Sequence, residues 1–419
     1  MPPGPVASRG PPPDRCGVTL PRTEAANHLH GDGDPRGEGN DRAVAPLAVR
    51  DRAAPTHLPA LTLRGVRTVA VEVPLRHVLG TSAATVRAAP LLLLDVETEQ
   101  GVVGRTYIFC YRRSGARAIA GVLQEAAGLV VGAAVAPAAI AATLQRRHAL
   151  IGVTGIVRMA LSALDAALWD AVASAAGVPL ATLLGASPRP IRAYNSCGLG
   201  LMGPQAVADE AERLLEGGFQ AVKLRLGYAT LEEDLAATRA VRRRLPDRIE
   251  LMVDYNQALS VDEALARGRA LQSEGVAWLE EPIRHDDHRG NATIAAALEL
   301  PLQIGENFNG PHDLELALDA RACDLVMPDV ARIGGVTGWL ESAAVAALRG
   351  TPMSSHLMPE LSAHLLAATP TCHWLEYVDW ADVLLQEPLR IENGHAVVPE
   401  RPGAGMAWDD AAVAHHRLA

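Results

Sequence analysis

The sequence has almost no lysine. Of its 38 basic residues only Lys223 is a lysine, so the other 37 (38 − 1) are arginine. Arginine is therefore the default cation of this chain. A position that keeps an ammonium needs a compact charge, which a planar guanidinium does not supply. Lys223 lies in the segment GFQAVKLRLGY, residues 218–228, and the next position on the same side of a strand is Arg225.

Other absences exclude whole classes of protein. The formal net charge is −10 and no dense basic run with interleaved aromatic residues occurs, so nucleic-acid binding is not expected. No apolar run reaches the roughly 18 residues that a membrane span needs, and no apolar signal segment is seen near the start. We therefore expect no membrane partner and a cytoplasmic location. The five cysteines are scattered, which argues against a disulfide framework and a CxxC metal site.

The composition changes along the chain and predicts separate regions. Residues 1–58 are rich in proline, glycine and arginine without apolar periodicity, which predicts a disordered extension. Residues 59–188 first show β-rich runs separated by turn signals, then helical patterns, which predict a small α+β domain with an antiparallel sheet. The β-rich runs are VRTVAVEVPL, APLLLLDVETEQGVVG and RTYIFCY.

Residues 189–380 repeat one pattern, a short apolar run followed by a helical segment. Short apolar runs each end in polar or charged residues, and alanine-rich helical segments separate them. The runs are IRAYNSC, QAVKLR, IELMVDYN, VAWLEE, PLQIGEN, CDLVMPD, TPMSSH and CHWLEY. Strands that alternate with helices favour parallel βα units. Eight such units fit an α/β fold closed as a TIM-type barrel with its site at the strand C-termini. A doubly wound open sheet is the alternative.

Three acids end consecutive predicted strands of this barrel. Asp254, Glu280 and Glu306 would converge on one point above the rim, where they repel one another unless a cation lies between them. Hard oxygen ligands favour Mg²⁺, with Mn²⁺ as an alternative, and zinc is disfavoured because the set has no His or Cys. Each acid could instead cap a helix or form a loop salt bridge. Glu281 follows Glu280 directly, and since neighbours on a strand face opposite ways, only one of them can face an ion.

Candidate bases lie on two sides of the predicted site. Lys223 and Arg225 would project from the second strand, while Asp329 and His356 would approach from the opposite side. A histidine bonded to a carboxylate is held in one tautomer and suits a general base, although a lone histidine is more often a polar core or surface residue. A divalent ion nearby can lower the pKa of an ammonium, whereas arginine stays charged. Arg225 is thus a poor candidate for taking up a proton.

Residues 61–410 resemble the enolase superfamily, and within it the mandelate racemase subgroup. The segments that carry this resemblance are LMVDYNQ, WLEEP, GENF, MPDVARIGGVTGWL, PMSSHLMPELSAHLLAATPTCHWLE and GHAVVPERPGAGMAW. The resemblance implies an α/β fold with a (β/α)7β TIM-type barrel over residues 189–380. It also implies that residues 59–188 form an N-terminal α+β capping domain and that residues 381–419 pack back on it. A homo-oligomer is a further expectation.

The resemblance also implies roles for individual residues. Asp254, Glu280 and Glu306 would be the Mg²⁺ ligands, and the His356–Asp329 dyad would be the base for one enantiomer. Protonated Glu376 would donate a hydrogen bond to the substrate carboxylate, which Lys223 would also contact. Supporting substrate contacts are expected from Asn256, Ser196 and Tyr107, with residues 78–85 and Tyr107 forming an apolar lid.

Arg225 departs from the family pattern, which places a second lysine base there. Our prediction is Mg²⁺-dependent abstraction of the α-proton of a small 2-hydroxy acid through an enediolate, with mandelate-type racemisation as the outcome. Two alternatives follow from the arginine. One is an acid-sugar dehydratase that uses only the His356–Asp329 base, and the other is a metal-binding homologue without catalytic activity.

Overall fold

The described part of the chain begins with an antiparallel sheet. The computed structural model describes residues 60–418, so the extension predicted over residues 1–58 lies outside the described residues. The strands are β1 (Leu63–Gly80), β2 (Thr85–Thr98) and β3 (Val103–Phe109), in the order β1-β2-β3. Both pairs in this sheet are antiparallel, as the β-rich runs predicted.

Four helices follow this sheet in the chain: α1 (Arg113–Gly128), α2 (Pro137–Arg147), α3 (Gly155–Ala175) and α4 (Leu180–Leu183). Most residues of α3 are buried, since its sequence is apolar on nearly every face. This helix packs closely on β3, where Gly104 leaves no room for a side chain. A Cβ atom at residue 104 would lie 2.0 Å from the carbonyl oxygen of Ala167 and 2.8 Å from the Cβ of Ala171.

The second half of the chain alternates strands with helices. In chain order its elements are β4 (Ile191–Asn195), α5 (Pro204–Arg213), β5 (Ala221–Arg225), α6 (Leu231–Arg244), β6 (Glu250–Asp254), α7 (Val261–Leu271), β7 (Val276–Glu280), α8 (His288–Ala297), β8 (Leu302–Ile304), α9 (Pro311–Asp319), β9 (Leu325–Val326), α10 (Val330–Ile333), α11 (Gly335–Arg349), α12 (Pro359–Ala367) and β10 (Leu375–Tyr377). Capping boxes at Thr230 and Ser260 begin α6 and α7.

The parallel strands form a closed ring. Strands β4 to β9 are neighbours in sequence order, and β10 pairs in parallel with β4. The gap between β9 and β10 is filled by residues 353–356, where Met353 bridges Val326 on one side and Cys372 on the other. The fold is thus a TIM-type barrel preceded in the chain by an antiparallel sheet with its helices, and the open-sheet alternative is wrong. The seventh predicted strand, TPMSSH, forms these isolated bridges in place of a regular strand.

The C-terminal residues return to the first sheet. After a 3-10 turn (Asp382–Leu384) come β11 (Ile391–Glu392), β12 (His395–Ala396) and α13 (Asp410–His416), and β12 pairs antiparallel with β4. The indole of Trp408 donates a hydrogen bond to Asp95 Oδ1 in β2 at 2.7 Å, and the Leu418 amide donates to the Ala70 carbonyl of β1 at 2.9 Å. The domain boundaries at residues 188 and 380 stay predictions.

Within residues 60–418, every helix is too short or too polar to cross a bilayer.

The contact between β3 and α3 gives a prediction about stability. We expect Gly104→Ala to lower the free energy of unfolding by about 1–3 kcal/mol, because backbone atoms of α3 must move to admit one methyl group. Gly121→Ala is the matched control, since residue 121 lies exposed inside α1 with open space around it, and alanine there should stabilise by about 0.5–1 kcal/mol. Urea titration measures both changes, and equal stability of Gly104→Ala and wild type would contradict this packing.

Candidate active site

The three predicted metal ligands converge at the mouth of the barrel. Asp254 and Glu280 are the last residues of β6 and β7, and Glu306 lies two residues beyond β8. One carboxylate oxygen from each lies within 4.8 Å of the other two. None of these acids caps the following helix, because the N-caps of α7, α8 and α9 are Ser260, Asp287 and Gly310. An oxygen triad of this kind suits a hard divalent cation such as Mg²⁺ or Mn²⁺.

Lys223 lies among these acids and is fully buried. Its Nζ is 2.5 Å from Glu280 Oε1, 2.7 Å from Glu376 Oε1 and 3.5 Å from Asp254 Oδ2. Burial alone would lower the pKa of Lys223, but the carboxylates of Glu280 and Glu376 raise this pKa well above its ordinary value. Lys223 therefore offsets the charge of the acids around it. The lowering of its pKa by a nearby divalent ion stays a prediction about the metal-bound site.

Two side chains that the sequence analysis did not identify fix the far oxygen of Glu280. Trp278 Nε1 donates to Glu280 Oε2 at 3.0 Å, and Gln303 Nε2 donates to the same oxygen at 3.2 Å. Trp278 could have been found, because residues two apart on a strand share a face. Gln303 also had a signal, being a polar residue within the buried run PLQIGEN. Glu281 is buried outside the triad, where its Oε2 accepts from Asn307 Nδ2 at 2.8 Å.

His356 and Asp329 form the expected dyad. His356 Nδ1 lies 2.7 Å from Asp329 Oδ2, and Asp329 Oδ1 accepts from the Ala331 amide at 2.7 Å at the start of α10. Because Asp329 is held by this amide, it favours the tautomer of His356 that is protonated on Nδ1 and turns Nε2 toward the triad. That Nε2 is 3.1 Å from Glu306 Oε2. Burial lowers the pKa of His356, but the carboxylates of Glu306 and Glu376 raise it well above its ordinary value, so the ring is protonated while these acids carry their charge without an ion. Burial raises the pKa of Glu306, but His356 and Lys223 lower it to about 2 overall.

Glu376 lies next to Lys223, beside the triad. Its Oε1 accepts from the Ser196 hydroxyl at 2.7 Å, and its Oε2 accepts from the Leu357 amide at 2.9 Å. Burial opposes ionisation, yet Lys223 and His356 hold the pKa of Glu376 well below its usual range. Glu376 is therefore a carboxylate in this arrangement. The protonated form that the resemblance implies stays a prediction about the substrate-bound site.

Arg225 is bonded to the chain itself. Its Nη1 donates to the carbonyl oxygens of Ser196 at 2.7 Å and Gly198 at 3.1 Å, and its Nη2 donates to the Ser196 hydroxyl at 2.8 Å. These contacts fasten the guanidinium to the loop that follows β4. On this side of the site the structure thus provides a structural cation, and on the other side a histidine with an oriented ring.

A cavity of about 230 Å³ opens above these residues. Part of its lining is apolar, and another part carries amide and guanidinium groups. The apolar lining comprises Leu79, Ala83, Ala84, Val86, Phe109, Leu357 and Trp380; the polar lining includes Asn256, Gln257, Asn307 and Arg332. The turn between β1 and β2 therefore contributes to the cavity as expected for residues 78–85. Asn256 has a positive φ of 45° and a buried Oδ1 without a hydrogen-bond partner.

Tyr107 and Ser196 lie outside the cavity wall. The Tyr107 hydroxyl donates to Glu360 Oε2 at 2.6 Å, and Phe109, on the same face of β3 but nearer its end, reaches the cavity instead. Ser196 is fully buried between Arg225 and Glu376. Both residues were predicted to contact substrate, and the structure places them behind the residues that line the cavity.

Two family models together match most of the chain. Residues 63–185 match the mandelate racemase / muconate lactonizing enzyme N-terminal domain, and residues 206–412 match the family described as enolase C-terminal domain-like. The chain belongs to the mandelate racemase/muconate lactonizing enzyme family of the enolase superfamily. A specific likeness to mandelate racemase itself, as opposed to its family, is not confirmed.

Relatives within this superfamily carry several activities. An L-talarate/galactarate dehydratase from Salmonella typhimurium is 35% identical over 63% of this chain and 67% of that protein. A 3,6-anhydro-alpha-L-galactonate cycloisomerase from Streptomyces coelicolor is 33% identical over 76% of this chain and 89% of that protein.

Two solved structures of superfamily members superimpose on most of this chain. An enolase from alpha proteobacterium BAL199 with bound magnesium is 41% identical, with a TM-score of 0.84 over 85% of this chain and 100% of that chain. An enolase from Bradyrhizobium complexed with magnesium and mandelic acid is 37% identical, with a TM-score of 0.82 over 87% of this chain and 100% of that chain.

The neighbouring acids Glu280 and Glu281 allow a matched test of the triad. We expect Glu280→Gln to weaken Mg²⁺ binding by more than the roughly 10- to 100-fold that loss of an outer contact costs, because it removes a charged ligand. Glu281→Gln should weaken Mg²⁺ binding by no more than loss of an outer contact, since Glu281 lies outside the triad and reaches Glu306 only through Asn307. Isothermal titration with Mg²⁺ and the Mg²⁺-dependent rise in melting temperature measure the effect. Equal losses in the two variants would contradict the assignment.

Proposed function

We propose that the protein removes the α-proton of a 2-hydroxycarboxylate, with Mg²⁺ at the triad and His356 as the base. The buried carboxylates of Asp254, Glu280 and Glu306 fit this ion, and relatives crystallised with magnesium support the choice. When bound, Mg²⁺ would hold substrate oxygens and stabilise the negative charge of an enediolate. Mn²⁺ has the same ligand preference and is the alternative ion.

The chain's own residues would divide the remaining tasks. Nε2 of His356 faces the triad while Asp329 holds Nδ1, so Nε2 is the atom that would accept the α-proton. The ammonium of Lys223 would contact the substrate carboxylate and add a positive charge where negative charge develops. Glu376 would donate a hydrogen bond to that carboxylate once protonated. Asn256 Oδ1, which has no hydrogen-bond partner, would accept a hydrogen bond from a substrate hydroxyl.

One observation favours dehydration over racemisation: a base is present on only one side. Racemisation needs a second proton carrier opposite His356, and the guanidinium of Arg225, which is a poor base, donates to the Ser196 and Gly198 carbonyls. Dehydration needs only the His356 side. Nε2 takes the α-proton, the β-carbon–oxygen bond breaks, and the protonated imidazole gives its proton to the departing hydroxyl, which leaves as water. The resulting enol becomes a 2-keto acid. We therefore propose a hydro-lyase that acts on an acid sugar, the class to which the Salmonella relative's name belongs.

Mandelate-type racemisation is the second candidate, and it has its own support. Leu79, Val86, Phe109 and Trp380 form an apolar wall that suits an aromatic ring. The Bradyrhizobium structure, which is complexed with mandelic acid, adds to it. A homologue without activity is less favoured, because the oriented dyad has the geometry of a working base.

A substrate panel separates the two candidates. With Mg²⁺ present, we expect a 2-keto acid from at least one acid sugar, measured as its semicarbazone, and unchanged optical rotation of either mandelate enantiomer. Because only His356 serves as a base, a 2-hydroxy acid that is turned over slowly should incorporate deuterium at its α-carbon in D₂O as one enantiomer and not as the other. Racemised mandelate without any keto acid would overturn the hydro-lyase proposal, and no exchange with any acid would favour the inactive homologue.

The role of His356 can be tested separately from ion binding. We expect His356→Asn to lower kcat by about 10²- to 10⁴-fold, the usual contribution of a general base, while the Mg²⁺-dependent rise in melting temperature persists. Asp329→Asn should lower kcat less severely, since the base is retained but loses its fixed tautomer. Steady-state kinetics and thermal unfolding provide the two readouts. Full activity of His356→Asn would exclude His356 as the base.

A further inference from the structure

Arg332 is a cavity residue that the proposed chemistry does not use. It follows Asp329 on α10 and lines the cavity together with Asn307 and Tyr111. Among residues 60–418 it forms no ion pair, whereas the buried cations Lys223 and Arg267 are both paired with carboxylates. Arg225 also lacks an ion pair, but its two terminal nitrogens are bonded to oxygens of Ser196 and Gly198. A cation that lines a cavity without an acidic partner has capacity left for an anionic ligand.

The guanidinium of Arg332 is held in place by neutral groups. Its Nη1 donates to Asn307 Oδ1 at 2.9 Å, and its Cζ lies 4.9 Å from the centre of the Tyr111 ring. Its Nε is buried and has no hydrogen-bond partner. An amide contact and a cation–π contact with an aromatic ring hold the guanidinium without neutralising its charge. The side chain is thus oriented before a ligand arrives.

Arg332 and Lys223 stand on opposite sides of the barrel mouth. The ring runs β4, β5, β6, β7, β8, β9, residues 353–356 and β10, so β5 and β9 are four positions apart in a ring of eight. Lys223 is on β5, and Arg332 follows β9. The single cavity that both residues line therefore has Lys223 and Arg225, both on β5, at one side and Arg332 at the opposing side.

We propose that Arg332 binds the second carboxylate of a dicarboxylic sugar acid, so that the substrate is an aldarate and not an aldonate. The inference rests on the proposed function, because the first carboxylate would lie at Lys223 and the triad. A planar guanidinium fork matches a carboxylate with two parallel hydrogen bonds, and a terminal hydroxymethyl group cannot accept both. A cavity of about 230 Å³ restricts the ligand to a short chain.

An alternative is that Arg332 only offsets the charges of Asp329 and Glu306. Burial lowers the pKa of Arg332, but Tyr111, Asp329 and Glu306 raise it above its ordinary value. That role would affect stability and ion binding but would not distinguish one ligand end group from another. Selectivity between end groups is therefore the readout that separates the two roles.

The test compares ligands that differ only at the far end. Galactarate with galactonate, and glucarate with gluconate, are titrated with Mg²⁺ into the full-length protein carrying His356→Asn, which blocks turnover. We expect each bound aldarate to bind more tightly than its aldonate. Adding Arg332→Met should weaken aldarate binding roughly 10- to 100-fold and aldonate binding little, since a charge-assisted contact is lost. Arg332→Lys, which keeps the charge but not the fork, should fall between.

Arg284→Met is the control for loss of one positive charge, because Arg284 is exposed and pairs with Asp286 on the surface. It should leave both affinities unchanged. Equal weakening of aldarate and aldonate in Arg332→Met, or no preference for either aldarate in the starting protein, would overturn the inference. Melting temperatures show that each variant is folded, and Arg332→Lys serves as the test if Arg332→Met is not.

Keto-acid assays with the wild-type protein, which retains His356, separate this inference from the proposed function. Keto acid formed from aldonates as readily as from aldarates would overturn the role of Arg332 and support the hydro-lyase. Arg332-dependent selectivity for aldarates without keto acid from any of them would support the role of Arg332 and overturn the hydro-lyase.

Discussion

The site depends on charge balance among acids that the barrel forces together. Parallel strands end at one rim, so residues at the ends of β6, β7 and β8 meet there whatever their charge. Asp254 and Glu280 are buried with Glu376 close by, and bringing such carboxylates out of water is costly unless cations accompany them. Lys223 contacts all three. A compact ammonium can lie among three carboxylates, and this explains why a chain that uses arginine elsewhere keeps its one lysine here.

The chemistry follows from an asymmetry around that cluster. On one side an imidazole is oriented by Asp329 with its second nitrogen toward the triad. On the other side Arg225 donates hydrogen bonds to backbone carbonyls and to the Ser196 hydroxyl, which in turn donates to Glu376. Arg225 therefore supports the position of Glu376 through Ser196, although a guanidinium is a poor base. A one-sided site of this kind suits elimination better than inversion of a stereocentre.

Much of this arrangement could be predicted from the sequence because it is local. Polar residues at the ends of apolar runs located the triad and the dyad, since strand ends and helix starts are determined by short-range patterns. The seventh strand was less regular than predicted, because residues 353–356 pair only through isolated bridges. The contacts of Arg225, Ser196 and Tyr107 were not predictable, since each depends on a partner from a distant part of the chain. The same holds for the ion pairs that raise the pKa of Lys223.

Diffraction from crystals grown with Mn²⁺ tests the central claim most directly. Manganese scatters anomalously and takes the same oxygen ligands as Mg²⁺. The account predicts one strong anomalous peak enclosed by Asp254, Glu280 and Glu306, with the His356 ring facing it. A protein that binds Mn²⁺ elsewhere, with no peak among those three acids, would contradict the account.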